Sequence, residues 1–599
     1  MQSVTTERRF FLGVRASATG LAWEHRLNER QENIALAIAQ GHGMPDIVAR
    51  VLAGRDVGDD AARFLDPTIR DLMPDPLSLT DMAVAAERIV EAIARREKVA
   101  VFGDYDVDGA AASALMKRFL DHFGIETEIY IPDRIFEGYG PNPDAMRDLI
   151  SRGAGLIVTV DCGTNSPAAI DGARMAGADV VVIDHHQVGG ALPGAVAIVN
   201  PNREDDLSGQ GHLCAAGVVF LVLVQVSRLI RARSDLSIPM PPDLLGMVDL
   251  VALATVCDVV PLVGLNRAYV VKGLLQARKM TNPGIGALAR VSRIGEPLNA
   301  YHFGFMIGPR INAGGRIGDA ALGSRLLACD DPVEAAKIAE TLDRLNTERQ
   351  AMEQVMLAEA RAEADAELAG GEGPAVLVTA SPSWHPGIVG LLASRLKDHA
   401  RRPAFAIAFN AMGTGTGSGR SIPGFDLGRM VRAAVEQGLL VKGGGHAMAA
   451  GITVEREKLG ELRAFFEECA SDTVFQLRHA EVLRIDAALS ADGATLALIE
   501  SLERAGPFGV GHTQPILALP RHRIADAREV GTGHVRVELK SEAGGRLAGI
   551  AFRAAQSELG AFLFGNRGQI VHVAGTLSAN YWNGSASAQL RIIDAAKPE

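Results

Sequence analysis

Apolar and polar positions change their spacing several times along the chain, and these changes divide it into segments. From residue 27 to about residue 96 the apolar positions follow a helical spacing that Pro67, Pro74 and Pro76 interrupt, which predicts short amphipathic helices. From residue 98 to 200 short apolar runs alternate with helical stretches, an arrangement typical of a parallel, doubly wound α/β sheet. The predicted strands of that sheet are residues 99–102, 129–131, 156–160 and 180–183.

The second half of the chain begins with helices. Helical spacing covers residues 215–275, and Asp331 followed by Pro332 predicts the start of a helix that reaches about residue 369. Because this helix has no interior Gly or Pro and is rich in Ala, Glu and Arg, it is typical of a connector between two lobes. A coiled-coil partner helix is the alternative.

Two further regions with strands follow the long helix. Strands at 375–379 and 404–409, glycine-rich loops at 413–419 and 443–445 and a helix at 458–469 predict a second α/β lobe. Short strands at 534–539, 547–552, 570–577 and 588–593 predict a small β-barrel of the OB type. We therefore expect an accessory segment at 1–80, a catalytic α/β domain at 81–325, the connector helix at 326–370, a smaller α/β domain at 371–475 and the barrel at 476–599.

Composition narrows the class of protein. With 599 residues, 48% of them apolar, the chain can bury several cores. No apolar run approaches the roughly 18 residues that span a bilayer, and the N-terminus lacks a signal-peptide pattern, so we expect a cytoplasmic protein with no membrane association. Five cysteines without a CxxC pair argue against disulfides and against a thiolate zinc site. A net charge of -11 does not exclude nucleic acid as a substrate, since residues 521–599 carry ten Lys or Arg against seven Asp or Glu.

Three carboxylates at alternate positions, Asp104, Asp106 and Asp108, follow the first predicted strand and open a helix. Like charges this close require a cation. A calcium-binding EF-hand loop is the alternative, but its twelfth position must be Glu and is Leu115 here, and a strand rather than a helix precedes the loop. The pattern indicates a metal site of another kind.

Two more predicted strands end in similar residues. Asp161 follows the strand at 156–160, and Asp184, His185 and His186 follow the strand at 180–183. Because ligands bind at the carboxyl ends of parallel strands, these groups are expected to converge on one cleft, where Asp258 offers a further carboxylate. Carboxylate and imidazole ligands without sulfur favour Mn²⁺ or Mg²⁺.

Phosphate esters explain such a concentration of acid, because two cations can neutralise phosphoryl oxygens and activate water without a covalent nucleophile. The chain has no G-x-x-x-x-G-K-[ST] motif, and G-x-G-x-x-G fails at Ser418 and Arg420. The residues therefore favour a two-metal phosphoesterase over an ATPase or a dinucleotide enzyme.

The run at 103–109 together with Asp184-His185-His186 resembles the DHH phosphoesterase superfamily, and within it the bacterial exonucleases specific for single-stranded DNA. The resemblance covers nearly the whole chain. Its other motifs are residues 62–67, 213–218, 258–262, 266–267, 309–316, 384–390, 417–421 and 443–446.

The resemblance implies a DHH catalytic domain, a DHHA1-like second lobe and an OB-fold barrel. It also implies 5′ to 3′ hydrolysis of single-stranded DNA to 5′-mononucleotides, with two Mn²⁺ or Mg²⁺ ions, in DNA repair and recombination. The implied metal ligands are Asp104, Asp106, Asp108, Asp161, His185 and Asp258. His186 would face the scissile phosphate and Asp184 would orient the histidines, so that Asp161, Asp184, His185 and His186 form the catalytic set. Phe102 departs from members that have a metal-binding His at its position.

Residues that hold DNA are also implied by the resemblance. They are Arg310, Asn312, Arg316, His385, Ser418, Arg420, Gly445 and His446. Trp384, Tyr581 and Trp582 either stack on bases or belong to the core. A phosphodiesterase for very short RNA or cyclic dinucleotides and a catalytically inactive binding protein are the alternatives. We expect a monomer, and the sequence leaves open whether a single-stranded-DNA-binding protein or a helicase is a partner.

Overall fold

The computed structural model describes residues 8–58, 60–133, 137–138, 140–233, 238–369, 371–582 and 585–598, apart from the side chain of Trp582. The strands are β1 (Ala22–His25), β2 (Val99–Gly103), β3 (Thr127–Tyr130), β4 (Leu156–Val160), β5 (Asp179–Ile183), β6 (Ala197–Val199), β7 (Leu377–Ser381), β8 (Ala404–Phe409), β9 (Thr414–Arg420), β10 (Lys442–His446), β11 (Ala449–Glu455), β12 (Val482–Ile485), β13 (Ala487–Ala488), β14 (Leu517–Val530), β15 (His534–Lys540), β16 (Arg546–Ala551), β17 (Ile570–Trp582) and β18 (Ser585–Ala596).

The α-helices are α1 (Glu29–His42), α2 (Asp46–Ala53), α3 (Ala61–Leu65), α4 (Ile69–Leu72), α5 (Met82–Arg95), α6 (Val107–His122), α7 (Pro143–Ser151), α8 (Pro167–Met175), α9 (Ala215–Ala232), α10 (Val248–Cys257), α11 (Gly264–Ala277), α12 (Pro283–Val291), α13 (Gly308–Ile317), α14 (Leu322–Ala328), α15 (Pro332–Leu368), α16 (Val389–Ala400), α17 (Leu427–Glu436), α18 (Leu459–His479), α19 (Leu496–Ala505) and α20 (Glu558–Gly565).

Two compact units make up the chain. The first contains Met1–Asp71, Pro261–Val263 and Glu481–Glu599, and the second contains Leu72–Val260 and Gly264–Ala480. The N-terminal segment therefore groups with the C-terminal region, although most of the sequence lies between them.

A parallel sheet forms the base of the second unit. Strands β2 to β6 pair in the spatial order β3-β2-β4-β5-β6. The chain passes from β2 outward to β3 and returns to β4 on the other side of β2, so the strand order reverses between β2 and β4. At such a reversal the loops at the carboxyl ends diverge and leave a crevice. The predicted parallel, doubly wound sheet is confirmed, and β6 extends it.

Helix α9 belongs to the core beside this sheet and packs on α5 and α6. By length and composition alone its 18 residues would suffice to cross a membrane, contrary to the expectation that no apolar run is long enough, but 72% of that window is buried inside the protein. The backbone at its N-terminus donates hydrogen bonds to the carboxylate of Asp108.

Helix α15 connects the two lobes of this unit. Asp331 is its N-cap, with Oδ1 accepting a hydrogen bond from the N–H of Val333 (2.9 Å), and Pro332 is its first residue. It packs on α12, α13 and α14 at one end, and Met356, Ala360 and Ala364 join the core of the next lobe. The predicted connector helix is confirmed.

The second lobe is a mixed sheet in the order β10-β11-β9-β8-β7, with β7 and β8 parallel and the other pairs antiparallel. The glycine-rich segments predicted as loops lie in strands β9 and β10, so that prediction was wrong. The reason is steric: a Cβ at Gly419 would lie 2.4 Å from Phe405 Cε1, and one at Gly417 would lie 2.8 Å from Ile452 Cγ1. Neighbouring large side chains fill the space that β9 leaves, so glycine here marks close packing rather than a turn.

A closed barrel forms the C-terminal part of the first unit. Strands β14, β15, β16, β18 and β17 follow one another around it, and the β14–β17 pairing closes it. The predicted OB-type barrel is confirmed. Strand β14 was not predicted, because Pro520 interrupts its sequence. That proline lies at a register shift between Leu519 and His522, where a strand tolerates proline.

The N-terminal segment is joined to the barrel region by strands and buried polar groups. Strand β1 pairs in parallel with β12. Trp23, fully buried, donates from Nε1 to Asp594 Oδ2 (2.9 Å). Asp486, also fully buried, forms an ion pair with Arg26 (3.0 Å) and accepts a hydrogen bond from Arg55. Buried carboxylates are stabilised only by such partners, so these pairs fix the segment to the barrel region.

Candidate metal centre at the strand ends

The acidic loop after β2 leads directly into α6. Asp106 is the N-cap of α6, and its Oδ1 accepts hydrogen bonds from the backbone N–H groups of Asp108 (2.9 Å) and Gly109 (3.1 Å). Position 109 requires glycine because a Cβ there would lie 2.4 Å from the carbonyl oxygen of Asp104. The loop is therefore compact, and Asp104 and Asp108 are only 5% and 1% exposed.

Asp108 is held by the N-terminus of α9. The backbone N–H of Ala215 donates to its Oδ2 (2.6 Å) and that of Ala216 donates to its Oδ1 (2.8 Å). A helix N-terminus is a favourable place for an anion. Burial raises the pKa of Asp108, and Asp106 adds to that rise, whereas His185 and the two N–H groups oppose it.

Asp161 follows β4 in a left-handed backbone conformation, with φ at 62°. Its N–H donates to the carbonyl oxygen of Ile183 at the end of β5 (3.0 Å), which ties the turn to the neighbouring strand. The residue is 2% exposed, and burial together with repulsion from Asp108 and Asp106 raises the pKa of Asp161 well above its usual range. Crowded, buried carboxylates of this kind are stabilised by a bound cation.

Asp184 organises the turn after β5. Its Oδ1 accepts from the backbone N–H of His185 (2.8 Å) and from Nδ1 of His186 (2.8 Å), and its Oδ2 accepts from the backbone N–H of Thr164 (3.1 Å). Burial alone would raise the pKa of Asp184, but the bond from His186 and the other donors hold it well below its usual range. Asp184 is thus an anion that orients both histidines.

His185 points its Nε2 into the carboxylate cluster. This atom lies 3.2 Å from Asp161 Oδ1 and 3.7 Å from both Asp108 Oδ2 and Asp258 Oδ2. Its Nδ1 lies 3.1 Å from the carbonyl oxygen of Leu213, which can only accept, so the proton of the neutral ring is assigned to Nδ1. The lone pair of Nε2 therefore faces the carboxylates, as a metal ligand requires.

Two asparagines after β6 hold the histidine turn from behind. Asn200 is fully buried, and its Nδ2 donates to Thr164 Oγ1 (3.0 Å) and to the carbonyl oxygen of His186 (2.9 Å). Asn202 Nδ2 donates to the carbonyl oxygen of His185 (2.5 Å). Neither asparagine nor Thr164 was predicted as part of the site, because an amide in an Asn-Pro-Asn run usually indicates a turn.

Asp258 is the C-cap of α10. Burial and the carboxylates of Asp108 and Asp106 raise its pKa well above the usual range. The next residue, Val259, has a left-handed backbone with φ at 60°, which is unusual for a β-branched residue. The chain thus turns sharply just after presenting this carboxylate.

Three overlapping groups of donor atoms result, each with its ligand atoms within 4.8 Å of one another. They are Asp104, Asp106 and Asp161; Asp108, His185 and Asp258; and Asp161, His185 and His186. Oxygen and imidazole donors at this spacing fit Mn²⁺ or Mg²⁺, and Asp161 and His185 each belong to two of the three groups. The structure brings together every predicted metal ligand.

Helix α13 carries three of the predicted DNA contacts and packs on the acidic loop. A Cβ at Gly315 would lie 2.7 Å from the carbonyl oxygen of Tyr105. Arg310 is largely buried, donating to Asp343 (2.8 Å) and to the carbonyl oxygen of Met306 (2.6 Å). Asn312 is half-buried in the same helix, and Arg316 donates to the carbonyl oxygen of Gly387 in the second lobe (3.0 Å).

The second lobe presents its predicted residues from β9, β10 and the segment before α16. Arg420 Nη1 donates to Ser418 Oγ (2.8 Å), which fixes the guanidinium. His385 Nδ1 accepts from the N–H of Gly387 (3.1 Å), and burial lowers the pKa of His385. Gly445 has φ at 148° and no room for a Cβ, which would lie 2.3 Å from the carbonyl oxygen of Ala449.

His446 of the second lobe interacts electrostatically with a residue of the first lobe. Burial lowers its pKa, and the positive charges of Arg420 and of His186 lower it further. His446 and His186 are therefore close enough to interact, although they belong to different lobes of the unit. One side chain of the second lobe is thereby placed near the histidine turn after β5.

The aromatic residues that were considered for base stacking differ in their surroundings. Trp384 is 5% exposed, joins the core of the second lobe and donates from Nε1 to Glu359 (2.8 Å), so it is a core residue. Tyr581 is 60% exposed. The side chain of Trp582 lies outside the described residues.

Three family models match the chain. They are the DHH family N-terminal domain at residues 98–255, the DHHA1 domain at 373–472 and the RecJ OB domain at 485–594. Among curated proteins, the single-stranded-DNA-specific exonuclease RecJ of Salmonella typhimurium is 36% identical over 571 residues, which cover 92% of this chain and 96% of that protein. The chain belongs to the RecJ family.

Other members of the RecJ family agree with this. The RecJ of Bacillus subtilis is 33% identical over 589 residues, covering 97% of this chain and 72% of that protein. A crystal structure of RecJ in complex with Mn²⁺ from Thermus thermophilus matches with a TM-score of 0.76 and 29% identity, covering 96% of this chain and 79% of that one. Its complex with Mg²⁺ matches with a TM-score of 0.72 and 28% identity, over 96% and 78% of the two chains.

Phe102, the position where the resemblance led us to expect a metal-binding histidine, has no ligand atom. It is fully buried, belongs to the core of the parallel sheet and stacks on Tyr130, with ring centroids 5.3 Å apart. In this RecJ family member the position therefore serves the core rather than the metal centre.

Proposed function

We propose that this chain is a single-stranded-DNA-specific exonuclease that hydrolyses phosphodiester bonds with two divalent cations. Its membership of the RecJ family supports a metal-dependent exonuclease. The observation that carries the proposal is the convergence of five carboxylates and His185 at the ends of β2, β4, β5 and α10, at the point where the strand order reverses.

Two ions are proposed because the donor atoms form overlapping groups. Asp108, His185 and Asp258 would hold one ion and Asp104 and Asp106 the other, with Asp161 shared between them. Mn²⁺ or Mg²⁺ bound there would supply positive charge for the phosphoryl oxygens and lower the pKa of a water molecule. Because Phe102 offers no ligand, the ion beside Asp104 is expected to have the sparser protein shell.

His186 is proposed to contact the scissile phosphate. Asp184 holds its Nδ1 and Asn200 holds its carbonyl oxygen, so the ring has a fixed orientation before substrate binds. Asp184 would act by orienting His185 and His186.

The second lobe and α13 are proposed to hold the DNA strand. Arg420, fixed by Ser418, matches a phosphate with its planar guanidinium, and Gly445 admits the DNA backbone because it has no side chain. His446 and His385 would add hydrogen bonds, as would Arg310, Asn312 and Arg316 on the opposite lobe. Such contacts make binding sensitive to salt.

The direction of hydrolysis and the biological role are also part of the proposal. We propose 5′ to 3′ digestion that releases 5′-mononucleotides, in DNA repair and recombination. We also propose, from membership of the RecJ family, that the protein is a cytoplasmic monomer. It would cooperate with a single-stranded-DNA-binding protein and a helicase. The expected domains at 1–80, 81–325, 326–370, 371–475 and 476–599 would divide these tasks.

The test uses 5′-labelled and 3′-labelled single strands of about 40 nucleotides with Mn²⁺. Labelled mononucleotide should appear first from the 5′-labelled strand. Asp161→Asn should abolish the reaction, because Asn tolerates the left-handed conformation of Asp161 but lacks the negative charge. Asp144→Asn, an exposed carboxylate on α7 of the same lobe, is the matched control and should be as active as the unmodified chain. Mononucleotide first released from the 3′ end would refute the direction, and full activity of Asp161→Asn would refute the site.

A further inference from the structure

Two large aromatic side chains are exposed beside each other just before α13. Tyr301 is 60% exposed and Phe305 is 71% exposed. Their ring centroids are 5.1 Å apart and their planes differ by 23°, so the rings are stacked. Because exposed apolar rings forgo the stabilisation of burial, a stacked pair on the surface indicates a binding site.

The backbone that carries the two rings is fixed in place. Residues His302–Ile307 form a π-helical turn, a feature frequent at functional sites. His302 is 3% exposed; its Nδ1 accepts from the N–H of Asn299 (3.2 Å), and its Nε2 lies 3.0 Å from Glu296 Oε1. Phe303, fully buried, anchors the opposite side of the turn. Little conformational entropy would therefore be lost when a ligand stacks on the rings.

The turn is joined to the metal centre on one side and to a proposed DNA contact on the other. Cys257, the residue before Asp258, donates from Sγ to the carbonyl oxygen of Phe303 (3.3 Å). At the other end Arg310 donates to the carbonyl oxygen of Met306, the residue after Phe305 (2.6 Å). The ring pair thus belongs to the same short stretch of structure as these two functional positions.

We propose that Tyr301 and Phe305 form a platform on which bases of the single-stranded DNA substrate stack. This inference rests on the proposed function. Nucleobases suit the site because their flat apolar faces match exposed rings without a requirement for sequence. Continuity with the end of α10 and with Arg310 favours DNA over a protein partner. A stacked base strengthens binding by about 5- to 150-fold, judged from alanine substitutions in other proteins.

The experiment measures binding of two fluorescent 15-mers to the full chain in EDTA by anisotropy. One oligonucleotide is oligo-dT, and the other has the same phosphates but abasic sugars. The unmodified chain should prefer oligo-dT. In Tyr301→Leu/Phe305→Leu, where leucine keeps apolar volume but removes the rings, this preference should fall at least fivefold while affinity for the abasic strand stays the same.

Controls separate the platform from a loss of folding. Phe475→Leu removes another exposed aromatic ring, on α18, and should keep the full preference for oligo-dT. The single variants Tyr301→Leu and Phe305→Leu should each lose part of the preference, which keeps the test valid if the double variant unfolds. An unchanged preference, or an equal loss for both strands, would overturn the proposal and point to another occupant such as a protein.

A failure of the proposed function would give a different pattern of results from a failure of the platform. If no strand is hydrolysed with Mn²⁺ but the preference for oligo-dT still depends on the rings, the exonuclease proposal fails and the platform stands as a DNA-binding site. If DNA is hydrolysed and the rings do not affect the preference, only the platform is refuted.

Discussion

Asp249 offers a sharp test of the physical chemistry of the catalytic domain. It lies in the first turn of α10, at the end far from Asp258, and is 1% exposed. Its Oδ1 accepts from the N–H of Leu250 (3.0 Å), whereas among the described residues Oδ2 has no hydrogen-bond partner. Burial raises the pKa of Asp249 to about 6, and Leu250 and Arg118 only partly oppose this.

The magnitude follows from linkage. A folded-state pKa above the unfolded value of 3.8 means that the neutral form is favoured on folding. The contribution to stability is therefore fully present below pH 3.8 and is lost as the pH rises to about 6. At 1.36 kcal/mol for each pH unit between 3.8 and about 6, the loss is about 3 kcal/mol.

Asp249→Asn removes the ionisable group and keeps the shape of its neutral form. At pH 8 we expect the second unit to melt about 2–4 °C higher in calorimetry than in the unmodified chain. At pH 4 the two should melt together. Exonuclease activity should not change, because Asp249 has no contact with the donor atoms of the site. Asp121→Asn, an exposed carboxylate on α6, is the control and should show no gain at either pH. An equal gain at both pH values, or no gain at pH 8, would refute the assignment of a raised pKa.

Three further predictions concern positions that the fold makes critical. Asn200→Asp replaces the Nδ2 donor to the His186 carbonyl by an oxygen. In steady-state kinetics this variant should have a kcat at least tenfold lower, with little change in KM. An effect on KM alone would contradict the proposed positioning role of Asn200. Gly419→Val places side-chain atoms where a Cβ alone would lie 2.4 Å from Phe405. The melting temperature should therefore fall by several degrees. An unaltered melting temperature would contradict the close packing of β9 against Phe405. Trp23→Phe removes the hydrogen-bond donor to buried Asp594. We expect urea unfolding to show the first unit destabilised by about 1–3 kcal/mol. No change in the urea midpoint would show that Asp594 accepts from another donor.

The sequence predicted the catalytic sheet well because both signals were local. Four apolar runs marked strands, and Asp or His residues at the ends of three of them marked the edge where Asp104, Asp161 and His185 meet. The parallel topology then follows from alternation of strands with helices. The convergence of these donor residues could therefore be predicted without knowledge of any contact.

Other features depend on distant parts of the chain and could not be predicted. The glycines of β9 look like a loop until Phe405 and Ile452 are known to fill the space beside them. Likewise, Asn200 looks like a turn residue until its bonds to Thr164 and His186 are seen. The pairing of β1 with β12 joins segments from distant parts of the chain, for which no local pattern exists.

The strand-end carboxylates and His185 are proposed to hold two divalent cations needed for hydrolysis. Titration of the full chain with Mn²⁺, followed by electron paramagnetic resonance of the free ion, tests this most directly. We predict two bound ions per chain, and at most one tightly bound ion in Asp161→Asn, because Asp161 is shared between the two donor groups. Two ions bound with unchanged affinity in Asp161→Asn would contradict the account.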